Sequence, residues 1–119
     1  MRTKILIVDD QKGILLLLDE VFKREGYTTF LATRGIEAIE ISQKEKLDII
    51  LLDVKIPNMS GIEILEMMKL TLPNVPVVMM SAYGEQGFIQ EALELGASHF
   101  ITKPFNIKEI RDVICMLVK

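Results

Sequence analysis

Short, nearly uninterrupted apolar runs alternate along this chain with longer stretches in which apolar residues recur every three or four positions. The runs are Lys4–Val8, Thr28–Ala32, Asp48–Leu52, Val77–Met80 and His99–Thr102. The first, third and fourth hold almost nothing but Ile, Leu, Val and Met, as strands covered on both faces do. The intervening segments carry helix punctuation. Gly26 and Gly96 stand where a C-terminal glycine closes a helix. Ser60 and Asn106 read as N-caps, followed three positions later by Glu63 and Glu109. Ile107, Ile110, Val113 or Ile114, and Leu117 give the last helix an apolar stripe.

Five such β–α units predict an α/β fold with a parallel sheet, right-handed crossovers and helices on both faces. Ligands of these sheets bind beyond the carboxyl ends of the strands, where strand order reverses. Asp9 and Asp10 follow the first run, Asp53 the third, Ser81 the fourth and Lys103 the fifth. Each alone has a bland reading as a cap or a solvated side chain. Together, at four strand ends, they describe one crevice.

Composition narrows the setting. At 119 residues the chain is read as one domain, 1–119, with no linker, repeat or low-complexity segment. Half of it is hydrophobic but only 6% aromatic, so its core must be aliphatic. A net charge of −3 argues against nucleic acid as a partner. No apolar run approaches the roughly 20 residues of a membrane span, and MRTKILIV meets charge too early for a secretory signal. One cysteine, Cys115, fits a reducing cytoplasmic setting.

Three clustered carboxylates raise one another's pKa unless a cation relieves them. Mg²⁺ does so with oxygen ligands and waters, and Mn²⁺ could substitute. Asp53 could then attack phosphorus and form an aspartyl phosphate, with Ser81 and Lys103 stabilising charge on the phosphoryl oxygens.

The motifs ILIVDDQ, LLDVKIPNMSG, MMSAYGE and ITKPF together resemble the receiver domain of bacterial two-component response regulators, over essentially the whole chain. The resemblance implies a flavodoxin-like (βα)5 three-layer sandwich with strand order 2-1-3-4-5. It implies phosphorylation of Asp53 by a phosphohistidine partner. It further implies Mg²⁺ held by Asp10, Asp53 and the backbone carbonyl of Lys55, with Asp9 acting through water, and a cis Lys103–Pro104 bond.

Single-domain members of the sporulation-initiation phosphorelay look most similar, on KILIVDDQKGI, EVFKREGY, KIPNMSGIEIL, SAYGE and the SHF before KPF. That likeness implies a cytoplasmic monomer without an output domain. It would take phosphoryl from a sensor histidine kinase and pass it to a downstream histidine phosphotransferase, with an aspartyl-phosphate phosphatase as a third partner. It would be a His-to-Asp-to-His phosphotransferase rather than a multiple-turnover hydrolase. Partner-facing residues would be Gln11, Lys12, Gly13, Ile14, Leu17, Tyr83, Pro104 and Phe105.

The residues themselves add three expectations. Lys55 and Tyr83, each two positions beyond a site residue, could screen an acyl phosphate from water. The first helix has seven apolar residues in the nine positions 14–22. Leu15/Leu18/Phe22 and Ile14/Leu17/Val21 form separate stripes, Leu16 fits neither, and Ile14 and Leu17 could stay exposed for docking. Phe100 stands where many receivers carry a Tyr switch, and His99 reads as an ordinary strand residue.

A hydrolytic phosphatase is disfavoured because Lys55 occupies the place of the second aspartate. A nucleotide site is disfavoured because VDDQKGI offers carboxylates where a glycine-rich phosphate cradle would stand. A stand-alone chemotaxis-type receiver, which binds a target and dephosphorylates quickly, stays open as the alternative.

Overall fold

In a computed structural model of the chain, which describes residues 2–82 and 87–118, five parallel strands form one sheet in the order β2-β1-β3-β4-β5. The elements are β1 (Lys4–Val8), α1 (Lys12–Arg24), β2 (Thr28–Ala32), α2 (Gly35–Lys44), β3 (Ile49–Asp53), α3 (Gly61–Thr71), β4 (Val77–Ala82), α4 (Gly87–Glu94), β5 (His99–Lys103) and α5 (Ile107–Leu117). The expected flavodoxin-like order is therefore present.

Successive strand residues point to opposite faces, and the two faces bury different helices. Leu6, Val8, Ile50, Leu52, Val77 and Met79 pack with Ala38 of α2, Leu65 and Met68 of α3 and Ala92 of α4. Ile5, Ile7, Ile49, Leu51, Val78 and Met80 pack with Leu15, Leu18 and Phe22 of α1 and Ile110 and Ile114 of α5. The central strands β1, β3 and β4 are continuously apolar because helices cover both of their faces, whereas the edge strands β2 and β5 are only partly buried. Each such side chain contributes roughly 1.5–3 kcal/mol when fully buried.

Helix ends follow the punctuation. Gly26 and Gly96 take φ of 87° and 105°, left-handed values that a Cβ disfavours. Ser60 and Glu63 make a reciprocal capping box, with the Glu63 N–H donating to Ser60 Oγ at 3.2 Å and the Ser60 N–H to Glu63 Oε1 at 3.4 Å. Asn106 caps α5 by accepting from the N–H groups of Lys108 and Glu109.

Three strand limits differ from the pattern. β3 runs Ile49–Asp53 rather than 48–52, and β4 and β5 continue to Ala82 and Lys103. Hydropathy drops where a chemical residue appears, but the hydrogen-bonded ladder continues beneath it. Asp53, Ser81 and Lys103 thus belong to the rigid sheet. Among the described residues no helix is long and apolar enough to cross a membrane.

Candidate functional site

Register decides which side chains meet. Val8 lies opposite Leu52, so the next residues, Asp9 and Asp53, emerge side by side from the centre of the sheet. Asp53 lies opposite Met80 and Ala82 opposite Lys103, bringing β4 and β5 to the same edge. Asp9, Asp53 and Ser81 are buried, whereas Asp10 is exposed.

Carboxylate oxygens of Asp9, Asp10 and Asp53 lie within 4.8 Å of one another. Lys103 enters this cluster with its side chain only 13% exposed: Nζ is 2.8 Å from Asp9 Oδ2 and 3.3 Å from Asp53 Oδ2. The other Asp9 oxygen, Oδ1, accepts from the Gln11 N–H at 2.9 Å. Asp10 makes no hydrogen bond through its carboxylate to another described residue.

The electrostatics follow from burial and charge. Burial, then the neighbouring Asp9 charge, push the Asp53 carboxyl up to about 6, against the opposing pull of Lys103. Burial by itself would lower the Lys103 pKa, but its contacts with Asp9 and Asp53 outweigh that and hold the ammonium above the ordinary lysine value. With all four groups ionised, three carboxylates against one ammonium leave two negative charges. An all-oxygen donor set with that excess, and one carboxylate open to solvent, suits a hard divalent cation. The residues fit Mg²⁺.

The β3–α3 loop is held tightly against the strand end. The Gly61 N–H donates to the Val54 carbonyl oxygen at 2.7 Å. A Cβ on Gly61 would sit 2.7 Å from Val54 Cα, 2.8 Å from the Val54 oxygen and closer still to the Asp53 carbonyl oxygen. Only glycine allows this approach. Gly61 is the first residue of α3, directly after the Ser60 cap, and the helix pattern alone asks for no glycine there. Asn58, at φ 69°, supplies the turn of the same loop.

The family model of the response regulator receiver domain matches residues 5–115. The chain belongs to this family. It is 56% identical over 114 residues to sporulation initiation phosphotransferase F of Bacillus subtilis (strain 168), covering 96% of this chain and 92% of that protein. It is 36% identical over 116 residues to the chemotaxis protein CheY of Thermotoga maritima, covering 96% of each. A CheY-like receiver domain protein from Methanospirillum hungatei JF-1 superposes with a TM-score of 0.95 at 29% identity, over 99% of this chain and 94% of that one.

In this receiver the anticipated partner-facing residues fall in several environments. Gln11, Ile14, Pro104 and Phe105 line one cleft of about 560 Å³ together with Ala82 and Lys103. The bond between Lys103 and Pro104 is cis. Lys12 and Gly13 are exposed on the first turn of α1. Leu17 is 45% exposed, but Leu16, which the stripes left aside, is 63% exposed. Ile14 and Val21 are half-buried against the core shared with α5, so the outward apolar pair is Leu16 and Leu17, not Ile14 and Leu17.

Lys55 is exposed and borders a second cleft of about 350 Å³ with Asp10, Val54, Ile56, Pro57 and Phe88. Tyr83 lies outside the described residues. Phe100 is half-buried against the core on the α2–α4 side, while His99 is exposed.

Proposed function

We propose that this receiver is a phosphorelay intermediate: it accepts phosphoryl from a sensor kinase phosphohistidine onto Asp53 and delivers it to a histidine of a downstream phosphotransferase. The observation carrying this reading is a buried Asp53 that shares Lys103 with Asp9 beside the open Asp10. The likeness to the Bacillus subtilis sporulation initiation phosphotransferase F supports a role in initiating sporulation, and with it a cytoplasmic setting.

In the first transfer an Asp53 oxygen attacks phosphorus and the P–N bond breaks. The imidazole leaves with the electron pair, as a neutral ring when its far nitrogen carries a proton. Bound Mg²⁺ supplies positive charge that lets an anionic phosphoryl approach the carboxylates. Asp10, Asp53 and the Lys55 backbone carbonyl would hold it, with Asp9 contributing through water. Lys103 and Ser81 take the phosphoryl oxygens, so Lys103 must partly give up Asp53 as the bond forms. The second transfer reverses this displacement on another histidine, and one site serves both.

The cleft of Gln11, Ile14, Pro104 and Phe105, together with the exposed Leu16 and Leu17 of α1, offers the surface for both histidine partners. An aspartyl-phosphate phosphatase would drain the relay by reaching the same site. Transfer of radiolabel from kinase to the receiver, and onward to a histidine phosphotransferase, tests the reading. Label should reach the acceptor only with Mg²⁺ and should be absent in Asp53→Asn. The Thermotoga maritima CheY likeness favours a second reading as a terminal, target-binding regulator. Loss of label from the receiver within seconds, with none gained by the acceptor, would select it.

A further inference from the structure

We infer that Gln11 is a positioning residue for Lys103, holding the ammonium at the acid cluster through its side-chain amide. This rests on the phosphotransfer reading of the same site.

Gln11 is the N-cap of α1, yet its side chain makes no cap hydrogen bond. Ser, Thr, Asp or Asn would satisfy an orphan N–H there. The Gln11 side chain reaches across to β5 instead, where Oε1 accepts from Lys103 Nζ at 3.4 Å. An ammonium has three N–H groups and no lone pair, so the amide oxygen must face it. Among the described residues, Asp9 Oδ2 at 2.8 Å and Asp53 Oδ2 at 3.3 Å are the other two oxygens around Nζ.

The Gln11 backbone acts on the same cluster. Its N–H fixes Asp9 Oδ1 at 2.9 Å, an aspartate turn that orients the carboxylate two residues upstream. Gln11 thus holds Lys103 directly and sets the oxygen on which Lys103 rests. Of the three contacts to Nζ, the amide is the neutral one. It can keep the ammonium in place while Lys103 exchanges Asp53 for a phosphoryl oxygen. A shorter side chain could cap α1 but could not span the gap to Nζ.

Two substitutions separate positioning from capping. Gln11→Ala removes the amide, whereas Gln11→Asn restores a favoured cap but shortens the reach. Phosphorylation by phosphoramidate with Mg²⁺ needs no protein partner: Asp53 attacks phosphorus, the P–N bond breaks and ammonia leaves. Both variants should lose about three- to tenfold in maximal rate, the worth of one modest hydrogen bond, with half-saturating donor concentration unchanged. Thermal stability of Gln11→Asn should equal or exceed that of wild type. In addition, the ¹⁵N signal of the Lys103 ammonium in protein without added metal should broaden or shift in both variants. Wild-type maximal rates in both variants, or an Asn variant that recovers rate along with stability, would overturn the inference. An unchanged Lys103 signal would overturn it independently of activity. Failure of wild type to accept phosphoryl would instead remove the functional reading and this inference with it.

Discussion

Lys103 reaches past an intervening strand to stand 3.3 Å from Asp53 Oδ2: β4 lies between β3 and β5 in the sheet. The same ammonium holds Asp9, whose side chain is wholly buried. Two buried carboxylates therefore share one cation, and that sharing makes the cluster compatible with folding.

Removing the cation leaves Asp9 and Asp53 uncompensated. Lys103→Ala should lower stability by about 3 kcal/mol in the presence of a chelator, the usual loss when one member of a buried ion pair is deleted. Saturating Mg²⁺ should recover part of it by binding the folded state. Urea denaturation with and without Mg²⁺ provides the measurement. Equal losses under both conditions would contradict the fit of the acid cluster to a cation.

Asp53 predicts an unusual pH dependence. Its folded-state pKa is raised to about 6 from an ordinary 3.8. Between those values the folded protein binds more protons than the unfolded chain, so this group's contribution falls as pH rises through the window. Above pH 6 the whole penalty is present, at most about 3 kcal/mol. Asp53→Asn should accordingly be more stable than wild type at pH 7.5 without divalent cations, with the advantage vanishing toward pH 4. Thermal melts at the two pH values test the sign, and a gap that grows on acidification contradicts it.

Gly61 predicts a reversal of helix propensity. In an exposed helix interior, alanine would stabilise by about 1 kcal/mol over glycine. Here the added methyl meets the backbone of Asp53 and Val54, which cannot move without displacing the Asp53 carboxylate. Gly61→Ala should destabilise by about 2 kcal/mol and slow phosphorylation of Asp53 by a small-molecule donor. A variant as stable and as fast as wild type would show that the β3–α3 loop has room to give.

Neighbouring leucines of α1 should behave oppositely. Leu15 is 4% exposed and Leu16 63%. Leu15→Ala should cost about 2–4 kcal/mol, whereas Leu16→Ala should stay within about 0.5 kcal/mol of wild type. If α1 receives the histidine partners, Leu16→Ala should nevertheless slow transfer to them while leaving phosphoramidate kinetics intact. Equal partner transfer in Leu16→Ala and wild type places docking elsewhere.

The sequence by itself determined the local structure and the chemical inventory. Uninterrupted apolar runs become strands covered on both faces, Gly26 and Gly96 close helices, and Ser60 and Asn106 open them, because these preferences act over a few residues. The four charged side chains that the structure brings together, Asp9, Asp10, Asp53 and Lys103, were legible too, since a parallel sheet gathers what stands at the carboxyl ends of its strands. Only the tertiary structure decided how those side chains are shared. That Lys103 spans β4 to hold Asp9 and Asp53, with Gln11 completing its contacts, depends on strand order and register between distant segments. Packing against α5 also left Leu16 outward and drew Ile14 partly inward, which helical spacing cannot distinguish. The need for glycine at 61 arose where a helix start meets a strand end. A side chain's partners are set by what the rest of the chain places nearby, and no local pattern contains that information.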